Sequence, residues 1–125
     1  MTLSTKYLGK QQQEAVDELD VVPSPASGVR VLLDCSEFTS HCPVTSQPDF
    51  ASIGIDYIAD ENIVETKSLK LWLWRWRDRR AFNEAIVVEI ARSFFDQVKP
   101  FEVSVRAQFA ARGGISVSPS FTVKR

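Results

Sequence analysis

The chain has 125 residues, 44% hydrophobic and 25% charged, with a formal net charge of −1. That length holds one core rather than two, and so small a charge gives no basic surface with which to displace counterions from nucleic acid. No apolar run reaches membrane-spanning length, and the mixed, polar first twenty residues lack the apolar centre of a signal peptide, so a cytoplasmic protein without a membrane partner is expected. In a reducing compartment Cys35 and Cys42 are expected as free thiols.

Residues 1–28 read as an N-terminal arm, because Gln11-Gln12-Gln13 and the breaker run Val21-Val22-Pro23-Ser24-Pro25-Ala26-Ser27-Gly28 offer few periodic apolar positions. The folded body is then expected over residues 29–125. Val29 to Asp34 reads as a first strand, and Phe50 to Ile58, rich in aromatic and β-branched residues, as a second. Leu69, Trp72, Leu73 and Trp76 fall at i, i+3, i+4 and i+7, the spacing of one helical face. Leu71 and Trp74 lie off that stripe. Such a helix is expected to be covered twice, by its own sheet and by another subunit.

Asn83 is placed to cap a second helix that carries Ile86, Ile90, Phe94 and Val98 inward, and Pro100 follows its end. Phe101 to Phe109 alternates cleanly as a strand, Ala110 to Gly114 supplies a turn, and Ile115 to Val123 returns as the last strand. Two antiparallel hairpins bracketing a helical pair make an α+β domain with its helices on one sheet face. Its open strand edges favour a closed oligomer.

The chemistry is concentrated between the first two strands. Cys42 lies seven residues before Asp49 in a turn-forming segment with Pro43 and Pro48. A thiolate adds to an electron-poor carbon, and a carboxylic acid nearby protonates the heteroatom that receives the displaced charge. A small buried thiol and a turn aspartate have the same spacing, so this motif alone leaves both readings open. Lys67 and Lys70, three apart at a helix start, suit either anionic phosphates or solvent. Arg112 before Gly113-Gly114 suits a ligand or a hairpin turn. Glu84 suits a ligand or the positive end of its helix.

Taken together, Glu37-Phe38-Thr39 with Cys42-Pro43, Gln47-Pro48-Asp49-Phe50, Glu65 to Trp72, Phe82 with Glu84, and Arg112-Gly113-Gly114-Ile115 resemble 7-cyano-7-deazaguanine reductase in its single-module form. The resemblance runs from about Val29 to Val123. It implies a tunnelling fold (T-fold), in which subunits extend one another's sheets into a barrel with active sites between them, as a homo-oligomer such as a decamer of two facing pentamers. The implied reaction is NADPH-dependent reduction of the nitrile of 7-cyano-7-deazaguanine to the aminomethyl precursor of the queuosine tRNA base. Cys42 would form a covalent thioimide, Asp49 would protonate nitrogen, and Glu84 would anchor the deazapurine, with Asn83 and Glu65 also beside the substrate. Lys67, Ser68, Lys70 and Arg112 would hold NADPH. No direct contact with nucleic acid and no metal ligand set is implied.

Departures from the family pattern are local. Thr66 stands where Ser or Leu is usual, and Arg79-Arg80 where His-Gly is frequent. Asn83 stands where histidine is frequent, and asparagine relays no proton near neutral pH. The single histidine, His41, is next to Cys42 and is expected on the opposite side of the extended chain, at the rim. The alternatives face the same residues. A tunnelling-fold amidinotransferase acting on the same nitrile in tRNA lacks the Glu65 to Trp72 cofactor motif, and a zinc enzyme on this fold needs more than one histidine. A Rossmann dehydrogenase needs a G-x-G-x-x-G that is missing. A deazapurine-binding module without turnover remains as the non-enzymatic alternative.

Overall fold

A computed structural model describes residues 5–9 and 14–125; Gln11-Gln12-Gln13 lie outside the described residues. Four antiparallel strands form the main sheet in the order β2-β3-β5-β6: β2 Arg30–His41, β3 Pro48–Ile58, β5 Glu102–Phe109 and β6 Ser120–Lys124. Two short strands, β1 Val21–Pro23 and β4 Asn62–Val64, pair separately. Between β4 and β5 come α1 Thr66–Trp74, a 3-10 turn over Arg75–Asp78, and α2 Asn83–Val98.

The period-2 pattern puts Ala51, Ile53, Ile55 and Tyr57 of β3 and Val103, Val105, Ala107 and Phe109 of β5 on one face, where all are buried. In β2 the inward set changes parity. Cys35 pairs with Ile53 but Phe38 pairs with Ala51, so β2 carries one extra residue in a bulge at Ser36-Glu37. The bulge returns Phe38 and then Ser40 to the inner face, where both are buried. The other face carries ion pairs beside the exposed Leu32 and Phe50: Arg30 pairs with Asp56, and Arg106 crosses Gly54 to reach Asp34 at 3.6 Å. A Cβ at Gly54 would lie 2.7 Å from the Arg106 guanidinium carbon, so the missing side chain leaves that path open.

Helix α2 closes the inner face with the expected stripe: Ile86, Ile90, Phe94 and Val98 are fully buried, with Val87 and Ala91 beside them. Each large side chain contributes ~1.5–3 kcal/mol by leaving water. Phe94 also meets the Tyr57 ring at 5.0 Å between centroids. The helix ends on Lys99 in the left-handed region (φ 55°), whose N–H returns to Phe95 O at 3.0 Å, and Pro100 prevents continuation. Its start differs from expectation. Phe82 is the cap residue and Asn83 is already the first helical residue, with no side-chain capping bond.

Helix α1 is covered on two sides, one of them by the chain's own N-terminal segment. Val16 and Leu19 are buried, Val16 N–H donates to Leu71 O at 3.3 Å, and Leu71 is buried as completely as the stripe residues. Val21–Pro23 then pairs with Asn62–Val64. The described part of residues 14–28 is therefore packed on the body. The last strand is also shorter than expected. Pro119 has no N–H for the ladder, so residues 115–119 run beside β5 through Phe109 N–H to Val117 O and Ala107 N–H to Pro119 O, and regular pairing starts at Ser120.

Candidate active site

The loop from β2 to β3 is wound tightly around Cys42. Cys42 N–H donates to Gln47 O and Ser46 N–H to Cys42 O, each at 3.0 Å, and Ser46 takes a positive φ of 62° to close the turn. This turn aims N–H groups at the sulfur. The Thr45 N–H, then the Thr45 hydroxyl, then the Val44 N–H hold the Cys42 thiol down to about 7, joined by Arg112 and opposed by burial. A substantial share of this thiol is therefore thiolate at neutral pH.

Asp49 follows on β3 with 6% of its surface exposed. Its Oδ1 accepts from Arg112 Nη1 at 2.8 Å. Arg112 Nη2 reaches Thr45 Oγ1 at 3.4 Å and also the Gln47 side-chain carbonyl. The third element arrives through the backbone of His41, whose N–H donates to Arg79 O at 3.0 Å and whose carbonyl accepts from Ala81 N–H at 3.1 Å. That short parallel bridge fixes the start of α2 beside the Cys42 loop. Cys42, Asp49, Asn83, Glu84 and Arg112 consequently line one cleft of about 310 Å³ with an apolar wall that includes Phe82 and Phe109. Glu84 is exposed at its mouth. His41 is absent from this lining.

The residues expected around the cofactor are divided. Lys70 lines a second groove of about 410 Å³ between β2, β3 and α1, with Leu33, Leu69, Leu73 and Trp74 as apolar wall and Asp34 and Glu37 also present. Lys67 lies one turn earlier on α1. Arg112 is in the Cys42 cleft, so within one chain it does not join the two lysines. Ser68 is fully buried; its hydroxyl accepts from Asp20 N–H at 2.9 Å and donates to Glu65 O at 2.7 Å. Glu65, expected beside the substrate, lines neither cavity: it caps α1, taking Lys67 N–H at 2.6 Å and Ser68 N–H at 3.2 Å, and is buried. Thr45 and Gln47, which hold Arg112, were given no role from the sequence, although Gln47 belongs to the Gln47-Pro48-Asp49-Phe50 motif. Their place inside a proline-bounded turn next to the thiol was the available signal.

Among the described residues no group of histidine, cysteine or carboxylate side chains is arranged to hold a metal ion. Nor is any helix long and apolar enough to cross a membrane.

A family model described as QueF-like protein matches residues 48–125. The NADPH-dependent 7-cyano-7-deazaguanine reductase of Magnetococcus marinus is 40% identical over 108 residues, covering 86% of this chain and 84% of that protein. The protein of the same name from Frankia casuarinae is 37% identical over 118 residues, 94% of each chain. The one from Zymomonas mobilis is 42% identical over 121 residues, covering 92% of this chain and 82% of that protein. Among solved structures, an archaeosine synthase QueF-Like in the apo form superposes with a TM-score of 0.68 at 20% identity, over 79% of this chain and 95% of that one, which shows a shared tunnelling fold. With a family match over most of the body and relatives at this identity along nearly the whole chain, the protein belongs to the QueF-like family.

Proposed function

We propose that this chain reduces the nitrile of 7-cyano-7-deazaguanine to an aminomethyl group with NADPH, in queuosine biosynthesis, through a thioimide on Cys42. The observation that carries the reading is the convergence of a readily ionised thiol, a buried carboxyl group and an exposed glutamate on one cleft, from three separate elements. A nitrile is a poor hydride acceptor until a nucleophile converts it to C=N, so covalent capture divides one hard step into easier ones.

The Cys42 sulfur bonds to the nitrile carbon while one C≡N π bond opens onto nitrogen, and Asp49 delivers the proton that nitrogen takes up. Glu84 at the mouth accepts from the guanine-like N–H donors of the ring, and the exposed Phe82 offers an apolar surface beside them. Asn83, also in the lining, hydrogen-bonds the substrate without relaying a proton. NADPH supplies hydride, two equivalents with two protons for each nitrile taken to the amine. Lys67 and Lys70 suit its phosphates as point charges, and the apolar wall with Trp74 suits its planar rings. Subunits would meet at the open edges of β2 and β6 to complete the site.

The deciding experiment incubates the purified protein with 7-cyano-7-deazaguanine and NADPH. Oxidation of two NADPH per nitrile consumed is expected. Tight binding of the nitrile with no NADPH oxidation would replace the reductase with a deazapurine-binding module.

A further inference from the structure

The groove between α1 and β2 has a direction. Ala59, just past β3, donates its N–H to Val29 O at 2.8 Å, and six residues later Glu65 caps α1, so the helix starts near the first residues of β2. At the other end Trp76, two residues past α1, meets Phe38 with ring centroids 6.3 Å apart, and His41 N–H reaches Arg79 O. α1 therefore runs beside β2 in the direction of the strand, towards Cys42. Within the groove Thr66 and Lys70 mark the early end, and Trp74, Glu37 and Thr39 the late end. Four residues of helix place Trp74 roughly 6 Å further along the axis than Lys70.

The two ends differ in chemistry. The early end is cationic, with Lys67 one turn before Lys70. The late end combines an indole, a hydroxyl and a carboxylate. Trp74 is 38% exposed, while Trp72 and Trp76 are fully buried. Arg77 stands outside the groove lining, and its guanidinium carbon lies 4.0 Å from the Trp74 ring centroid, which holds the indole in place at the wall. The bulge at Ser36-Glu37 breaks the alternation of β2 and leaves Glu37 exposed in the lining. Glu37 has no hydrogen-bond or ion-pair partner among the described residues, whereas Asp34 is met by Arg106 at 3.6 Å.

We infer that the late end is the nicotinamide subsite of the groove, with Trp74 as its stacking face and Glu37 as the carboxylate beside the ring. The inference rests on the assignment of this groove to NADPH. The dinucleotide carries its phosphates and its nicotinamide at different points along its length, and the lysines claim the phosphates for the early end. The oxidised nicotinamide ring bears a positive charge that the reduced ring lacks. An indole face and a carboxylate both favour that charge, so together they suit this ring better than adenine. Beside the 2′-phosphate of the adenosine half the same carboxylate would be repelled. The placement also sets the ring at the end of the groove towards which Cys42 lies.

The test measures binding alone, without the nitrile. Dissociation constants for NADP⁺, NADPH and adenosine 2′,5′-bisphosphate are measured by calorimetry, with circular dichroism as the control for the fold and light scattering for the assembly. Glu37→Gln keeps shape and hydrogen bonding but removes the charge. It should raise the constant for NADP⁺ more than that for NADPH, and the difference should shrink with salt because Glu37 is exposed. A purely structural role would move both constants alike. Trp74→Leu should weaken NADP⁺ by roughly 2- to 30-fold and leave adenosine 2′,5′-bisphosphate unchanged. Equal shifts for NADP⁺ and NADPH in a folded Glu37→Gln protein, or a loss for adenosine 2′,5′-bisphosphate in Trp74→Leu as large as that for NADP⁺, overturns the inference. If Trp74→Leu does not fold, the two constants of Glu37→Gln decide alone. Unmoved constants in both variants of a chain that oxidises NADPH with the nitrile defeat this inference and leave the reductase reading standing. The expected shifts without nitrile-dependent oxidation of NADPH defeat the reductase reading alone.

Discussion

The backbone N–H of Asp20 donates to the Ser68 hydroxyl at 2.9 Å, tying the N-terminal segment to the first turn of α1. Ser68→Ala would leave that buried N–H without its partner, a loss of ~1–3 kcal/mol. Urea denaturation should show the loss, while the apparent NADPH requirement stays unchanged. A raised NADPH requirement at unaltered stability would instead return Ser68 to the cofactor.

This contact illustrates what was legible in the chain and what was not. The inward faces of α2 and β5 could be read directly, because helical and strand periods repeat within a few residues and burial follows the period. β1 and β4 are three residues each, too short for any period, and exist only because distant segments meet. Asn83 has a good capping side chain yet lies inside the helix, since the backbone turns one residue earlier at Phe82. The motif around Cys42 and Asp49 was plain in the sequence. The partners of Arg112 were not, because Asp49 and Thr45 lie more than sixty positions away and spacing carries no information about such a contact.

Capture by Cys42 should be visible without NADPH. Protein mixed with the nitrile alone should gain the mass of the substrate on Cys42, and Cys42→Ala should not. Cys35, half-buried on β2, should remain unlabelled, and Cys35→Ala should keep the adduct. The thiol is the protonated, less reactive form and its value is lowered to about 7, so adduct formation should accelerate as pH rises through about 7 and level off above it. Adduct mapped to Cys35 by peptide mass would remove Cys42 from the mechanism.

Asp49 and Glu84 line the same cleft but should fail differently. Asp49→Asn keeps the shape and removes the proton donor, so turnover should fall by about 10²–10⁴-fold with substrate binding largely retained. Glu84→Ala removes an acceptor at the mouth, so affinity for the nitrile should fall first. Calorimetric binding beside steady-state rates separates the two. Equal losses of affinity in both variants would contradict the division of roles.

Lys67 and Lys70 are assigned to anionic phosphates, and charge makes the assignment testable. Lys67→Ala and Lys70→Ala should each raise the NADPH concentration needed for half-maximal rate more than the nitrile concentration. Because Lys70 is exposed, its contribution is screened: the difference between parent and Lys70→Ala should shrink as salt rises from about 0.01 M, where charges act over ~30 Å, to about 1 M, where they act over ~3 Å. Adduct formation on Cys42 requires no NADPH and should survive both substitutions while the assembly is intact. If either variant loses the adduct with its oligomeric state unchanged by light scattering, that lysine serves substrate capture, and the α1 groove is not the cofactor site.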